Sequence, residues 1–507
     1  MKSKKTLLIA LCMALTSAHA QVITKVGRAT LHLADADTDT PVFYDKGANG
    51  SFNINWFSYD YPTIGGDGQP VTLSALACMP DNTGETTEIN NVIVGCHITI
   101  TTNKECPTQY NISGSMFSDI FLTMTLAGSN LYPQDDLAHH NLVILPDYEG
   151  YGITKDRSHP YLISEINARQ VTDAVRYGIQ LYQNDGQLQD MRRPFRQDWR
   201  SICTGYSQGG AVALSTQRYI EEQGLSDELH LAGSVCGDGP YSPLVNILYY
   251  MEQDRDGKEL SMPVVLSLML KGLCEYDEAM AGCQVNDFLV ERFLETGVID
   301  WITEKEKSTD DITNTWKQLY ANGKGDDKTY FHSVLTSDGK ALLKNIVKPE
   351  IYQYYSDLLD KYPHYATTSI PSPEGNSLAE IMHLALSHND LTTGWTPTHP
   401  VYLYHSTKDE VVPFQNYQIA ASNLGEEVEF CPSASNGTHV ETGMEFFFSP
   451  QRLDCIRALA SAGSDGISTT MQPSTAQKWF DIYGRPVMKT SSAKGILIIN
   501  GKKYIFR

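Results

Sequence analysis

Apolar, β-branched runs separated by polar turns recur along the chain and predict β-strands. Six segments have this pattern: 71–80, 91–100, 141–145, 201–204, 229–236 and 400–405. Two other segments space their apolar residues three or four positions apart, as amphipathic helices do: 162–183 and 208–223. Because strands and helices alternate, we expect an α/β fold, with a mostly parallel central sheet flanked by helices.

The interval 241–397 breaks this alternation. It contains amphipathic stretches, for example 286–304 and 340–360, and no pattern typical of a buried strand. Since the strand pattern resumes afterwards, we predict a large helical cap inserted between two core strands; a second independent domain is the alternative. The apolar run 262–270 either packs the cap helices together, which we favour, or lines a substrate tunnel.

The last segment, 471–507, differs again in pattern and in charge. Short apolar runs around Asn500-Gly501 predict a small β tail with a tight hairpin. Seven Lys or Arg residues outnumber its single acid, Asp481. The expected organisation is a leader at 1–20, a core at 21–240 and 398–465, the cap at 241–397 and the tail at 471–507.

The first twenty residues have the pattern of an export signal. A basic start at 2–5 precedes the apolar run 6–15, and Ala-His-Ala at 18–20 places small residues before Gln21. This pattern predicts cleavage and a secreted protein, because the apolar run is too short to span a bilayer. No later stretch has transmembrane length, so we expect no stable membrane anchor.

The rest of the chain is acidic, and the formal net charge of the whole sequence is −21. An acidic surface argues against nucleic acid as a partner, because binding phosphates requires a basic face. It also disfavours docking on anionic membranes. The charge therefore indicates a solvated exterior that keeps an exported protein soluble.

Nine cysteines remain once Cys12 leaves with the leader. Exported proteins form disulfides, and the first pairs to test are Cys274 with Cys283 and Cys431 with Cys455. The odd count leaves at least one free thiol if all pairing is intramolecular. No Cys or His spacing is typical of a zinc site, so we expect neither a metal nor a cofactor.

The strongest chemical signal is Gly-Tyr-Ser-Gln-Gly at 205–209, between a strand pattern and a helix pattern. A G-x-S-x-G motif in this context holds its serine on a sharp turn, where small neighbours let the backbone pass close to itself. We therefore predict Ser207 as a nucleophile. The alternative, a serine that only caps the helix, has less support because the motif occurs in the context that it requires.

A serine hydroxyl is a weak nucleophile and needs an adjacent base that a carboxylate orients. In chains with this motif the acid follows the serine and the histidine comes last. Asp409 follows the strand pattern at 400–405 and is the predicted acid, with Glu410 and Asp390 as rivals. His439 is the only histidine after Asp409 and is the predicted general base.

A tetrahedral intermediate also needs two N–H donors for its oxyanion. One should be the backbone N–H of Gln208, directly after the nucleophile. The second should come from the loop that follows the strand pattern ending at His97, from Thr99 or from Ile98.

Several segments together resemble the secretory-lipase-like branch of the α/β-hydrolase superfamily. The matching pieces are GYSQGG at 205–210, PDYEGYG at 146–152, GDGPY at 237–241, the acid turn at 405–413 and CHITITTNKECP at 96–107. The last piece resembles the oxyanion loop of that branch, except that Ile98 stands where the family usually has glycine. The resemblance spans about residues 60 to 460. It implies an α/β-hydrolase fold with a helical lid, and gives Ser207, Asp409 and His439 the roles of a catalytic triad.

The tail from Trp479 is similar to the C-terminal sorting-type segment of many exported Bacteroidetes proteins. This resemblance implies a role for the tail in sorting or surface attachment.

Together these features predict a secreted serine hydrolase that cleaves small-molecule or lipid carboxylic esters through an acyl-enzyme. A serine exopeptidase with the same triad is the first alternative. It requires acids that bind a substrate amino terminus, and the predicted cap offers three: Glu275, Asp277 and Glu278. The second alternative is a non-catalytic surface binding protein that keeps the fold.

Overall fold

The structure of the protein is a computed structural model. It describes residues 22–32, 51–81, 88–110, 118–127, 140–362, 370–432, 436–448, 450–461, 479–481, 486–487, 495–499 and 502–506. The chain divides into two compact units, Met1–Ala460 and Ser461–Arg507, and each is described by itself. The predicted leader at 1–20 lies outside the described residues. Among the helices that are described, none is long and apolar enough to cross a membrane.

The first unit is built on a mixed sheet of nine described strands. Their bounds are β1 Val22–His32, β2 Ser51–Ile64, β3 Pro70–Pro80, β4 Ile89–Cys96, β5 Asn141–Pro146, β6 Phe195–Tyr206, β7 Leu231–Gly237, β8 Val401–His405 and β9 Val428–Pro432. They lie in the order β1-β2-β3-β5-β4-β6-β7-β8-β9. The pairs from β1 to β5 in this order are antiparallel, and all pairs from β5 to β9 are parallel.

Helices connect the parallel strands and fill the interval between β7 and β8. The described α-helices are α1 Asp119–Met124, α2 Ser164–Asn184, α3 Gln208–Glu222, α4 Pro243–Arg255, α5 Pro263–Tyr276, α6 Glu291–Leu294, α7 Val298–Glu304, α8 Thr309–Asn322, α9 Leu343–Ile346, α10 Pro349–Lys361, α11 Leu378–His388, α12 Gln415–Leu424, α13 His439–Phe448 and α14 Pro450–Ser461.

Both faces of the sheet are buried, because neighbouring residues of a strand point to opposite sides. On β3, Ala75 and Ala77 belong to one apolar cluster, whereas Leu76 and Cys78 belong to a second. The first cluster includes residues of α2 and α3, and the second includes residues of α1, α13 and α14. Helices therefore cover the sheet on both sides, as expected for an α/β fold.

The helices α4 to α11 form an insertion between β7 and β8, which are neighbours in the sheet. Each of the two amphipathic stretches, 286–304 and 340–360, is divided between short helices. Gly297, whose φ is 87°, separates α6 from α7, and glycine adopts this conformation at little cost. Pro349 begins α10 and separates it from α9, because proline favours the first helical position and ends what precedes it.

The prediction of an α/β fold with a helical insertion is confirmed. The six predicted strands correspond to β3 to β8, but β4 ends at Cys96 and not at Ile100. The strands β1, β2 and β9 were not predicted. In β2, aromatic and aliphatic residues alternate with polar ones, but the phase of this alternation shifts between Trp56 and Phe57, so no single face is apolar along the whole strand.

The second unit contains a four-stranded sheet. Its strands are β10 Trp479–Asp481, β11 Pro486–Val487, β12 Gly495–Ile499 and β13 Lys502–Phe506, in the order β11-β10-β12-β13. β12 and β13 pair antiparallel with Ile499 opposite Lys502. The residues of the predicted turn, Asn500 and Gly501, lie outside the described residues.

The two cysteine pairs proposed from the sequence differ from each other in how their thiols interact. The thiols of Cys431 in β9 and Cys455 in α14 are hydrogen-bonded, and this contact, followed by burial, raises the pKa of Cys455 far above its usual value. Burial, followed by the neighbouring Cys283, raises the pKa of Cys274 to about 12. All four are free thiols in this structure.

Candidate active site

The turn between β6 and α3 holds Ser207 in a strained backbone conformation. Its φ is 56° and its ψ is −124°, a region that costs a non-glycine residue about 1–3 kcal/mol. A Cβ at Gly205 would lie 2.4 Å from Gly209 O, and one at Gly209 would lie 2.1 Å from Cys96 O. Ser207 N donates to Gly237 O at 2.8 Å. The turn therefore requires glycine on both sides, and it fixes Ser207 beside the ends of β4 and β7.

His439 and Asp409 form a hydrogen-bonded chain that begins at Ser207. His439 Nε2 lies 2.9 Å from Ser207 Oγ, and His439 Nδ1 lies 2.5 Å from Asp409 Oδ2. Because a carboxylate only accepts, Nδ1 carries the hydrogen and Nε2 offers its lone pair to the serine hydroxyl. The structure thus brings together the three residues predicted as nucleophile, base and acid.

The charge of Asp409 is stabilised by its surroundings. Its Oδ1 accepts hydrogen bonds from Val411 N at 2.8 Å and Val412 N at 2.7 Å. Burial acts to raise the pKa of Asp409, but the adjacent His439, with its hydrogen bond, and a further bond from Asp238 lower it to about 2. Asp409 is therefore an anion at any pH above this value.

The two rival acids do not reach the imidazole. Glu410 Oε2 accepts a hydrogen bond from His439 N at 3.0 Å, so it contacts the backbone of the base and not its ring. Asp390 accepts hydrogen bonds from Ser242 Oγ at 2.5 Å and Thr392 Oγ1 at 2.6 Å. Of the three acids considered from the sequence, Asp409 is the one bonded to the imidazole.

The backbone N–H groups of Gln208 and Thr99 are the predicted oxyanion donors. Among the described residues neither group donates a hydrogen bond to the protein. Ile98, the alternative to Thr99, differs, because its N–H donates to Asp119 Oδ2 at 2.9 Å. Thr99 also lines the same cavity as Ser207. The loop therefore offers the N–H of Thr99, and not that of Ile98, to a ligand.

Buried aromatic and polar residues support both donors. His159 Nδ1 donates to Glu149 O at 2.9 Å, so its Nε2 accepts from Gln208 Nε2 at 2.6 Å. Burial lowers the pKa of His159 to about 3, which keeps the ring neutral. His97, which begins the oxyanion loop, stacks on Tyr148 with ring centroids 4.0 Å apart. The segment 146–152 (PDYEGYG) therefore contributes to the site by holding in place the backbone near Gln208 and the loop that begins at His97.

Ser207 and His439 open on a cavity of about 660 Å³. Part of its apolar wall comes from the start and one face of α5 and from α13: Met262, Val265, Leu266, Met269, Met444 and Phe447. The first four are spaced as one face of a helix. The apolar run 262–270 thus lines the cavity as well as packing the insertion, although the sequence favoured packing alone.

A second part of the cavity wall is polar. Its residues are Lys104, Glu105, Ser118, Asp119, Thr309 and Asp310. Burial, with smaller contributions from Asp119 and Asp310, raises the pKa of Glu105 to about 7. Near neutral pH this wall therefore presents Glu105 as a mixture of acid and carboxylate.

One acid of the site, Asp238 at the end of β7, was missed from the sequence. Its carboxyl lies with the side chains of Asp409 and His439, all within 4.8 Å of one another. Ser406 N donates to Asp238 Oδ1 at 3.1 Å, and the hydroxyl of Tyr206 lies 2.9 Å from Oδ2. The available signal was an acid directly after an apolar strand, since the carboxyl ends of parallel strands carry the functional side chains of such sheets.

Asp238, Asp409 and His439 also form the one group of described residues spaced closely enough to hold a metal ion. Their atoms are already hydrogen-bonded to one another and to Tyr206, which explains their proximity. An ion bound to His439 Nδ1 would have to displace Asp409. The arrangement therefore fits a hydrogen-bond network better than a metal site.

Sequence comparison finds neither a matching family model nor a matching curated protein, whereas solved structures share the fold. The ligand-bound rice cell wall degrading esterase LipA from Xanthomonas oryzae matches with a TM-score of 0.60 and 19% identity, over 86% of this chain and 98% of LipA. A point mutant of LipA matches with a TM-score of 0.57 and 21% identity, over 80% of this chain and 92% of the mutant. A Legionella pneumophila protein with a provisional hydrolase designation matches with a TM-score of 0.57 and 14% identity, over 82% of this chain and 90% of the Legionella protein. The chain has the α/β-hydrolase fold.

Proposed function

We propose that the protein is a carboxylic ester hydrolase that works through Ser207, His439 and Asp409. The observation that carries the proposal is the unbroken hydrogen-bond chain from Ser207 Oγ through the imidazole to Asp409. A serine that only capped α3 would bond to the helix backbone, but the side chain of Ser207 makes no such bond. The chain of bonds instead matches what an activated serine requires.

The geometry supports acyl transfer in two steps. Ser207 Oγ attacks the ester carbonyl carbon while His439 Nε2 takes the hydroxyl proton, and the N–H groups of Gln208 and Thr99 bind the oxyanion. The intermediate expels the alcohol, which receives the proton from His439. Water then attacks the acyl-enzyme with the same base and releases the carboxylic acid. The rate should fall in acid, because a protonated imidazole cannot accept the serine proton.

The cavity supports a small-molecule or lipid ester as the substrate. Its volume of about 660 Å³ lies within the range of small-ligand pockets. The face of α5 offers an apolar surface for an acyl chain, and the polar wall offers hydrogen-bonding groups for the remainder of the ester. An esterase among the structural neighbours, LipA, is in keeping with this substrate class.

The serine exopeptidase alternative is not supported by the three acids that it requires. Glu275 pairs with Lys271, and Asp277 accepts a hydrogen bond from Asn389 Nδ2 at 3.1 Å. Neither acid, nor Glu278, lines the cavity. We expect hydrolysis of p-nitrophenyl esters and little hydrolysis of aminoacyl p-nitroanilides; a clear preference for the anilides would contradict an ester hydrolase.

The deciding experiment is labelling of the purified mature protein with a fluorophosphonate probe. Wild type should be labelled, whereas Ser207→Ala and His439→Ala should lose labelling by roughly 1,000-fold or more. Circular dichroism of all three proteins controls for folding. A folded wild type that resists the probe would refute the proposal and favour the non-catalytic surface protein.

We also propose that the enzyme is exported. The support is the basic and apolar pattern of residues 1–20. The intact mass of the protein recovered after export should correspond to a chain that begins at Gln21, and retention of residues 1–20 would contradict this expectation. Expression with and without 471–507 then tests whether the tail determines surface attachment.

A further inference from the structure

Asp238 is an acid of the site that the mechanism above does not use. It is fully buried, and its φ of 35° lies in the left-handed region that few non-glycine residues adopt. Among the described residues its nearest basic group is His405, with 3.9 Å between Nδ1 and Asp238 Oδ1. Burial lowers the pKa of His405 to about 4, so this ring carries no charge near neutral pH. Asp238 is therefore a buried acid without a cation to pair with in the resting site.

Two carboxyl groups that meet in a buried site cannot both be ionised, because their charges repel and neither then has a hydrogen to donate. Asp409 accepts hydrogen bonds from Val411 N, Val412 N and His439 Nδ1, and these favour its anion. Asp238 is therefore the partner that keeps a proton. In keeping with this, burial and then the charge of Asp409 raise the pKa of Asp238 well above its usual value.

Hydrogen bonds connect Asp238 to both segments that carry the acid and the base. The hydroxyl of Tyr206 lies 2.9 Å from Asp238 Oδ2 and 2.7 Å from the carbonyl oxygen of His439. On the other side, Ser406 N donates to Asp238 Oδ1 at 3.1 Å, and Ser406 begins the turn that leads to Asp409. The carboxyl group thus spans the distance between the turn after β8 and the start of α13.

We propose that Asp238 is a positioning residue of the triad: a neutral carboxylic acid that bridges Asp409 to Tyr206 and so holds the Asp409–His439 pair in line with Ser207. This inference rests on the proposed function and adds a fourth side chain to its site. Without the bridge, Asp409 and His439 keep their own hydrogen bond but lose a fixed orientation. A misplacement of about 1 Å at a reacting group costs on the order of 100-fold in rate.

The test compares Asp238→Ala with the conservative variant Asp238→Asn in the mature chain, with an ester substrate. The alanine variant should lose about 10-fold to 100-fold in kcat with little change in KM, and should react with a fluorophosphonate more slowly by a similar factor. The asparagine variant should recover most of this loss, because its amide is neutral, has a similar shape and tolerates positive φ. Asp390→Asn, which removes a buried acid bonded to Ser242 and Thr392, is the matched control.

Thermal unfolding across pH gives a readout that does not depend on activity. The folded-state pKa of Asp238 lies above its unfolded value, so the folded protein holds a proton that the unfolded chain has released. The contribution of Asp238 to the free energy of unfolding is therefore fully present below its unfolded-state pKa. It decreases as the pH rises toward the folded-state pKa. Asp238→Asn has no such proton. Its melting temperature relative to wild type should therefore rise as the pH increases above the unfolded-state pKa, by roughly 1.5 °C per pH unit.

The same titratable groups face position 238 in both proteins: Tyr206, His405, Asp409 and His439. Asparagine adds no charge beside them, so the change of the melting difference with pH reports mainly on the carboxyl group of Asp238. If the difference in melting temperature between Asp238→Asn and wild type does not change with pH, the proposal that Asp238 is neutral is wrong.

The kinetic outcomes are equally decisive. An alanine variant with the kcat of wild type would show that Asp238 positions nothing. An asparagine variant that folds but is as slow as the alanine variant would show that a charged carboxylate is needed. If the alanine variant does not fold, the kcat and the melting profile of the asparagine variant decide. A wild type that resists the fluorophosphonate would instead refute the proposed function, and the melting comparison would still report on Asp238.

Discussion

The strand ends and the helical insertion shape the same cavity by different means. At the strand ends, Ser207 and Asp238 have φ values of 56° and 35°, and the carboxylate of Asp409 is held by backbone N–H groups. The insertion contributes the side chains of one face of a regular helix, among them Leu266 and Met269. Positions at the strand ends are thus fixed by the backbone, whereas the wall from the insertion consists of side chains that pack.

This difference predicts a division of effects. Substitutions at the strand ends should change the rate for every ester, because they act on the bond-making groups. Substitutions on α5 should change which ester is preferred and leave the reactivity of Ser207 in place. Three experiments test this division.

Asp409→Asn is expected to have the largest effect of the three. The amide no longer stabilises the imidazolium and favours the wrong tautomer of His439, so kcat should fall by about 1,000-fold to 10,000-fold for short and long esters alike. Steady-state kinetics with p-nitrophenyl acetate and octanoate measure this. Asp390→Asn should retain wild-type rates; a loss that differed between the two esters would contradict the division.

Leu266→Trp should act on selectivity. The larger side chain fills part of the cavity, so kcat/KM for p-nitrophenyl octanoate should fall by about 10-fold to 100-fold relative to the acetate. Labelling by a small fluorophosphonate should stay within about twofold of wild type, because the wall does not touch the serine proton transfer. Leu266→Met conserves volume and is the matched control. Equal losses for both esters would mean that α5 also supports the catalytic residues.

Glu410→Gln should have the smallest effect. Within the described part of the chain, Glu410 accepts one hydrogen bond, from the backbone N–H of His439 at 3.0 Å, and a glutamine oxygen accepts the same bond. The expected change in kcat/KM is within about threefold, with no change in selectivity. Comparison with Asp409→Asn then separates two adjacent acids, and a loss as large as that of Asp409→Asn would reverse their assignment.

Local sequence was sufficient where one short segment determined its own geometry. The turn at Ser207 is encoded by its two glycines between an apolar strand and a helix, so context within about twenty residues located it. The parallel strands were visible because they are buried on both faces and are therefore continuously apolar.

The remaining features depend on contacts that no single segment encodes. β2 pairs on both sides, and its buried aromatic residues Tyr59 and Tyr61 alternate with polar ones that a sequence pattern assigns to a turn or loop. Asp238 became visible only when β7 and β8 were placed side by side, because its partners lie 168 residues further along the chain, at Ser406, and beyond. The choice between Thr99 and Ile98 required the position of Asp119, which is 21 residues from Ile98.

The order of the proposed catalytic residues along the chain has a consequence for the protein while it is being made. Ser207 is synthesised first, the insertion next, and His439 only 232 residues after the serine. At translation rates of about 5–20 residues per second, the serine waits roughly 10–50 s for its base. Throughout that interval the growing polypeptide carries an inert hydroxyl. The proposed base is therefore added only after the apolar face of α5 has been synthesised.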